Sequence, residues 1–200
     1  MPRIKWIGII QGETAQYQTG KLNAGAKKLD MPSAMNDMML KALPFAIPPV
    51  LVLLLSILIK TFLSNQVIVR REFVLLGFFV GFSGLILHEF LHAMVYPKEA
   101  TVYVGLHPKA LAAVALASYP MKRSRFVFMS LLPLVLGFLP ILAFWISPAA
   151  WKSWNSFCLG FSIMGLVSPY TDYYNVYQVL RQTPKGCYIQ FYEDDMYWMR

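Results

Sequence analysis

Charged residues are scarce in this 200-residue chain: Asp, Glu, Lys and Arg make up 14%, against 57% apolar residues. A soluble domain carries about 25% charged residues, so the composition excludes an ordinary soluble globular protein and points to lipid as the solvent. Cysteine is almost absent, with Cys158 in an apolar stretch and Cys187 near the C-terminus. Two cysteines so placed exclude a disulfide framework and show no metal-pair spacing. Acidic residues number ten against eighteen Lys and Arg, a net charge of +8. The basic residues are scattered between apolar runs and form no stripe, which argues against nucleic acid and for membrane lipids as partners. The first 42 residues contain no continuous apolar h-region. A signal peptide is therefore not expected and the N-terminus is expected to be retained. No solenoid-length repeat occurs.

What the chain has in abundance is long apolar sequence. Four runs, approximately 43 to 63, 73 to 96, 126 to 147 and 154 to 171, are long enough to cross a hydrocarbon core of about 30 Å as helices. The expected fold class is an all-α membrane protein of four transmembrane helices with a small cytoplasmic-side β-hairpin. Trp151 and Trp154 stand at the head of the fourth run, where amphipathic rings favour the membrane interface. Fourteen of the eighteen Lys and Arg fall before the first run, between the second and third, and after the fourth. The positive-inside rule then puts both termini in the cytoplasm, as expected of a multi-pass protein of the plasma membrane. The corresponding organisation is a cytoplasmic segment 1–42, a transmembrane domain 43–182 and a cytoplasmic tail 183–200.

The connections carry weaker signals. Thr101-Val102-Tyr103-Val104 and Leu111 to Tyr119 flank the turn-like His107-Pro108-Lys109, which predicts a hairpin over about 101–119. The Ala-rich second arm could instead be a short helix. Ile4 to Ile10 and Tyr188 to Tyr192 have strand composition, Gly20 to Lys28 reads as a flexible loop, and Pro32 to Leu43 as a Met-rich interfacial helix.

The chemistry concentrates in His88-Glu89-Phe90-Leu91-His92. Histidines four positions apart on a helix share one face and can bind a single zinc ion, while Glu89 lies beside the metal as a general base. Chance would produce such a pentapeptide in this composition with a probability on the order of one in a thousand. Apart from these residues and Asp172, the stretches 73–96, 126–147 and 154–172 contain no Asp, Glu, Lys, Arg or His. Ionisable groups at membrane depth are costly and mark function, although a satisfied polar cluster joining helices is the plain alternative.

Zinc needs a third protein ligand. Along ideal helices His88, His92 and Asp172 lie roughly 22, 28 and 27 Å from the starts of their runs, at a similar depth near the cytoplasmic face. Asp172 is the best candidate, with an N-cap after Ser168-Pro169 as the alternative. Glu99 is a competing ligand, and His107 reads as an exposed turn residue. Asn175, one turn beyond Asp172, could hydrogen-bond a substrate backbone or a developing oxyanion, or be an ordinary interfacial residue. Tyr170, Tyr173 and Tyr174 fit the aromatic belt.

The order of these features resembles a known group. A polar N-terminus, a Pro-rich first span, a second span ending in His88-Glu89-Phe90-Leu91-His92, and a strand with Val104-Gly105 come first. A third span opening on Leu132-Pro133, Asp172-x-x-Asn175 and Pro184-Lys185-Gly186 follow. The chain is similar over nearly its whole length to the putative zincin peptidases of small bacterial membrane proteins, formerly a domain of unknown function. It resembles more distantly the site-2 proteases, whose aspartate usually precedes Gly, whereas here Tyr173 follows Asp172. The resemblance implies Zn2+ held by His88, His92 and Asp172, with Glu89 as catalytic base; Val104, Gly105 and Asn175 are candidates for contacting the substrate or transition state.

The function expected is that of a zinc metalloendopeptidase, hydrolysing peptide bonds of membrane-associated substrates with a zinc-activated water. Two other classes compete: a metal transporter, and a non-proteolytic zinc-binding scaffold. A transport path calls for polar groups at several depths, whereas here they cluster at one. A purely structural site has no need of Glu89.

Overall fold

The computed structural model describes residues 1–10, 12–108 and 112–200. The chain divides into two compact units. The first comprises Met1–Lys41, Leu85–Leu132 and Asp172–Arg200, and the second Ala42–Gly84 and Pro133–Thr171.

The second unit is helical. It contains α2 (Ile47–Ser64), α3 (Arg71–Ser83), α6 (Val135–Ile146) and α7 (Lys152–Ser162), the last continued by a π-helical turn at Ile163–Val167. On α2 only Leu53, Ser56 and Lys60 are buried. That spacing defines one narrow stripe, and leucines cover the remaining surface. The core joins Leu53, Ile68, Ile141, Phe144, Cys158 and Leu159.

The first unit is mixed. Its helices are α1 (Met35–Ala42, whose last residue is assigned to the other unit), α4 (Leu85–Val95), α5 (Arg123–Leu131) and α8 (Tyr170–Gln182, whose first two residues are assigned to the other unit). Its strands are β1 (Arg3–Ile9), β2 (Lys27–Lys28), β3 (Thr101–His107), β4 (Ala112–Leu116), β5 (Met121–Lys122), β6 (Tyr188–Tyr192) and β7 (Asp195–Met199). They form a three-stranded sheet in the order β1-β3-β4 and a four-stranded sheet in the order β2-β7-β6-β5. Strand β1 runs parallel to β3 and β4 antiparallel to it. The β1–β3 register shifts between Trp6 and Gly8, where Gly8 has φ 68°. A side chain on Gly105 opposite would meet the Gly8 carbonyl at 2.8 Å, so the bulge and the glycine fit each other. Between the sheets and helices lies a core of Ala93, Val102, Val104, Phe126, Val179 and Ile189, among others.

The described residues are thus mostly helical, as expected, but carry two small sheets where a single hairpin was expected. The hairpin over 101–119 is β3 and β4, but residues 109–111, including Lys109 of the turn and Leu111 of the second arm, lie outside the described residues. The segments Ile4–Ile10 and Tyr188–Tyr192 are strands as expected. The two-residue strands β2 and β5, which the sequence does not announce, come from pairing over long sequence distances: β2 with β7, and β5 with β6. No local periodicity encodes such partners.

Among the described residues, three helices are long and apolar enough to cross a membrane: Met35–Ser64, Arg71–Val95 and Arg123–Ile146. The first begins earlier than the apolar run because α1 feeds through a 3-10 turn at Leu43–Ala46 into α2. The second is interrupted at Gly84, between α3 and α4. The fourth expected span, 154 to 171, is not among them, since α7 and its π turn end at Val167.

Candidate metal centre

Helix α4 carries the HExxH segment immediately after the Gly84 interruption. The four-residue spacing puts His88 and His92 one turn apart on the same face. Both are buried, with their Nε2 atoms 2.9 Å apart and their rings crossed at 80°. His92 Nδ1 lies 2.8 Å from the Met129 carbonyl of α5. A carbonyl can only accept, so Nδ1 donates, which leaves the lone pair on Nε2 toward the centre.

Asp172, in the first turn of α8, supplies the third group. Its Oδ2 is 3.2 Å from His88 Nε2 and 3.4 Å from His92 Nε2. The Asp172 carboxylate is thus turned toward both imidazoles. Among the described residues, His88, His92 and Asp172 are the group whose potential ligand atoms converge, all within 4.8 Å of one another. Glu99 is exposed beyond α4, and neither it nor His107 joins the cluster.

The fit to a metal ion can be tested on these distances. A circle through three atoms separated by 2.9, 3.2 and 3.4 Å has a radius of about 1.8 Å, just under the about 2.0–2.2 Å of zinc–nitrogen and zinc–oxygen bonds. His88, His92 and Asp172 would therefore be able to hold one such ion together.

Glu89 is near this triangle without belonging to it. Its Oε1 is 3.9 Å from His88 Nε2, and the backbone N–H of Ala115 in β4 donates to its carboxylate. A carboxylate beside the centre but outside the converging set, and hydrogen-bonded by a strand, suits proton transfer better than ligation.

The remaining candidates are placed as follows. Val104 and Gly105 sit in the middle strand β3, opposite Ala115 and Val114 on one side and Trp6 and Gly8 on the other. Asn175 lies one turn after Asp172, and its Oδ1 is buried without a hydrogen-bond partner. Two groups at the centre were missed by sequence reasoning: the Met129 carbonyl and the Ala115 N–H. Both are backbone atoms of distant segments, so no side-chain type signals them.

A helix bearing two imidazoles and a carboxylate at HExxH spacing, completed by a carboxylate from another helix, defines a zincin-type metal centre. Residues 81–188 match the family model described as "putative zincin peptidase", more than half of the chain, and the chain belongs to that family. The match covers the whole centre. No curated protein and no solved structure matches the chain.

Proposed function

We propose that this protein is a zinc-dependent endopeptidase that cuts membrane-associated polypeptides at a centre near the cytoplasmic face of the plasma membrane. The observation that carries this reading is the convergence of His88, His92 and Asp172 with Glu89 adjacent but outside the ligand set. The residues around α7, short as that helix is, serve as a fourth crossing segment, and both termini lie in the cytoplasm.

When bound, zinc supplies Lewis acidity, polarising a peptide carbonyl and acidifying a water. His88, His92 and Asp172 hold the ion, and the Met129 carbonyl keeps His92 in the ligating tautomer. Glu89 accepts a proton from the attacking water and passes it to the leaving amine. Strand β4 is the outer strand of its sheet and contacts Glu89 through Ala115. A substrate segment added in extended form along β4 would bring its carbonyls to Glu89, with Val104 and Gly105 of β3 backing that strand. Asn175 offers its unpaired amide oxygen to a substrate N–H.

The test is metal analysis and cleavage of a model transmembrane substrate by the purified full-length protein. Wild type is expected to contain one zinc and to cleave. Glu89→Gln is expected to keep the zinc and lose about 10²–10⁴-fold in rate. Wild type free of zinc, or Glu89→Gln cleaving at the wild-type rate, would overturn the reading.

A further inference from the structure

The helical unit holds a second built feature, unconnected with the metal centre. The segment entering α3 and the start of α7 enclose an open cavity of about 430 Å³ lined by Arg70, Ala150, Trp151, Lys152, Ser153 and Trp154. Arg70 is fixed at both ends. Its backbone N–H donates to Ser156 Oγ at 2.7 Å, and its guanidinium donates to Ser153 Oγ at 3.3 Å. Its side chain nevertheless stays 54% exposed, with Glu72 Oε1 3.9 Å from Nε. Lys152 is exposed on the opposite wall, at the first residue of α7. That helix begins at Trp151 without a side-chain cap, so its first N–H groups add partial positive charge to the same wall.

Two cations against one nearby acid leave the cavity with a single excess positive charge, which one phosphodiester anion neutralises. Arg70 and Lys152 are the residue types that recognise phosphate oxygens. The aromatic rim tells where that phosphate comes from. Trp151 and Trp154 are 60% and 46% exposed, and Trp154 stacks on Phe157 at 5.9 Å. Such rings belong at the headgroup level. Immediately beyond Arg70, α3 exposes Leu75, Leu76 and Phe79, a surface suited to acyl chains.

We infer that this cavity binds the phosphodiester headgroup of an anionic phospholipid, with its acyl chains along α3. The inference rests on the chain being embedded in a membrane and not on its zinc chemistry.

The test uses the full-length protein in detergent, titrated with phosphatidylglycerol, phosphatidylcholine or inorganic phosphate and read by native mass spectrometry. Phosphatidylglycerol is expected to bind wild type and Lys185→Ala alike. Binding should be roughly 30-fold weaker in the Arg70→Ala/Lys152→Ala double variant, given the contribution of each basic residue at an anionic surface. Zinc content should be the same in all three proteins. On wild type alone, added salt should weaken phosphatidylglycerol binding steeply, a readout that does not depend on any variant folding. Equal phosphatidylglycerol binding by the double variant, phosphatidylcholine binding as tight as phosphatidylglycerol, or an affinity indifferent to salt would each overturn the inference. Displacement of the lipid by inorganic phosphate at similar concentration would also overturn it, in favour of a free-phosphate site.

Discussion

Lys60 is a buried ammonium near the C-terminal end of the apolar helix α2, and its neighbours account for it. The Nζ donates to the carbonyls of Phe144 and Ser147 and to Asn155 Oδ1, and it lies 4.4 Å from the centroid of the Phe144 ring. These acceptors cluster where α6 ends and α7 begins, so one side chain of α2 ties three helices. Lys60→Met would keep the bulk and leave the acceptors bare. We expect a loss of about 2–4 kcal/mol, because each unsatisfied buried acceptor costs about 1–3 kcal/mol. Thermal unfolding in detergent measures it, and a midpoint unchanged from wild type would show that water replaces the ammonium. At the metal centre the comparable residue is Asp172. Loss of a group behind a ligand already weakens metal affinity about 10–100-fold. Asp172→Ala removes a ligand itself and should exceed roughly 100-fold in a chelator competition. Retention of wild-type zinc affinity would return Asp172 to the role of a helix cap.

Between elements, backbone contacts decide more than side-chain types do. Helices α3 and α7 pack through glycine: a Cβ on Gly77 would meet the Phe157 carbonyl at 2.1 Å, and one on Gly160 the Val74 carbonyl at 2.0 Å. Small residues let membrane helices approach closely where apolar burial alone gives no preference. The clash is with backbone and cannot be relieved by a rotamer change, so Gly160→Val should separate the two helices and lower the unfolding midpoint by several degrees. A midpoint equal to wild type would show that the pair tolerates separation. The edge strand offers a functional test. Ala115 donates its N–H to Glu89 and stands opposite Val104. Proline at an edge position costs the sheet little when the lost N–H faces away from the ladder. Ala115→Pro should therefore retain zinc while cleavage falls at least about tenfold, from loss of one charge-assisted hydrogen bond of roughly 1.5–3 kcal/mol and of an open edge. Full cleavage would show that substrate does not use β4.

What could be read from the sequence follows the same division. The HExxH segment is local: residue types and a four-residue spacing on a helix suffice to bring His88, His92 and Glu89 together. Asp172 was reachable because helix rise converts sequence position into depth. The Gly84 interruption was not, because Gly84 sits inside an unbroken apolar run where hydropathy is blind to a one-residue break between helices. Nor were the sheets, since Lys27–Lys28 is a strand only through its partners Trp198 and Tyr197. The same holds for Ala115 and Met129, which act through backbone atoms that any residue possesses.

For the whole molecule, the C-terminal segment is the clearest case of long-range construction. Residues 183–200, expected as a cytoplasmic tail, form β6 and β7, and Cys187, Ile189 and Met196 enter the same core as Ala93 of α4 and Met129 of α5. The N-terminal segment closes on them. Lys27 and Lys28 pair with β7, Lys28 Nζ reaches Asp195 Oδ2 at 2.6 Å, and the backbone N–H of Glu193 donates to the Gln18 carbonyl at 3.1 Å. The Asp30 N–H donates to Gln182 Oε1 at 2.8 Å, tying that segment to the end of α8 as well. Because α4, α5 and α8 carry His88, His92, Asp172 and the Met129 carbonyl and share this core, its strands brace the helices that bear the candidate centre. Deleting residues 186–200 would strip three large buried side chains from the core and leave β2 and β5 without partners. The truncated protein should lose zinc and become sensitive to limited proteolysis within 1–41 and 97–122, while the helical unit keeps its protease resistance. Zinc retained at the wild-type level with an unchanged digestion pattern would show that the centre stands on α4, α5 and α8 alone.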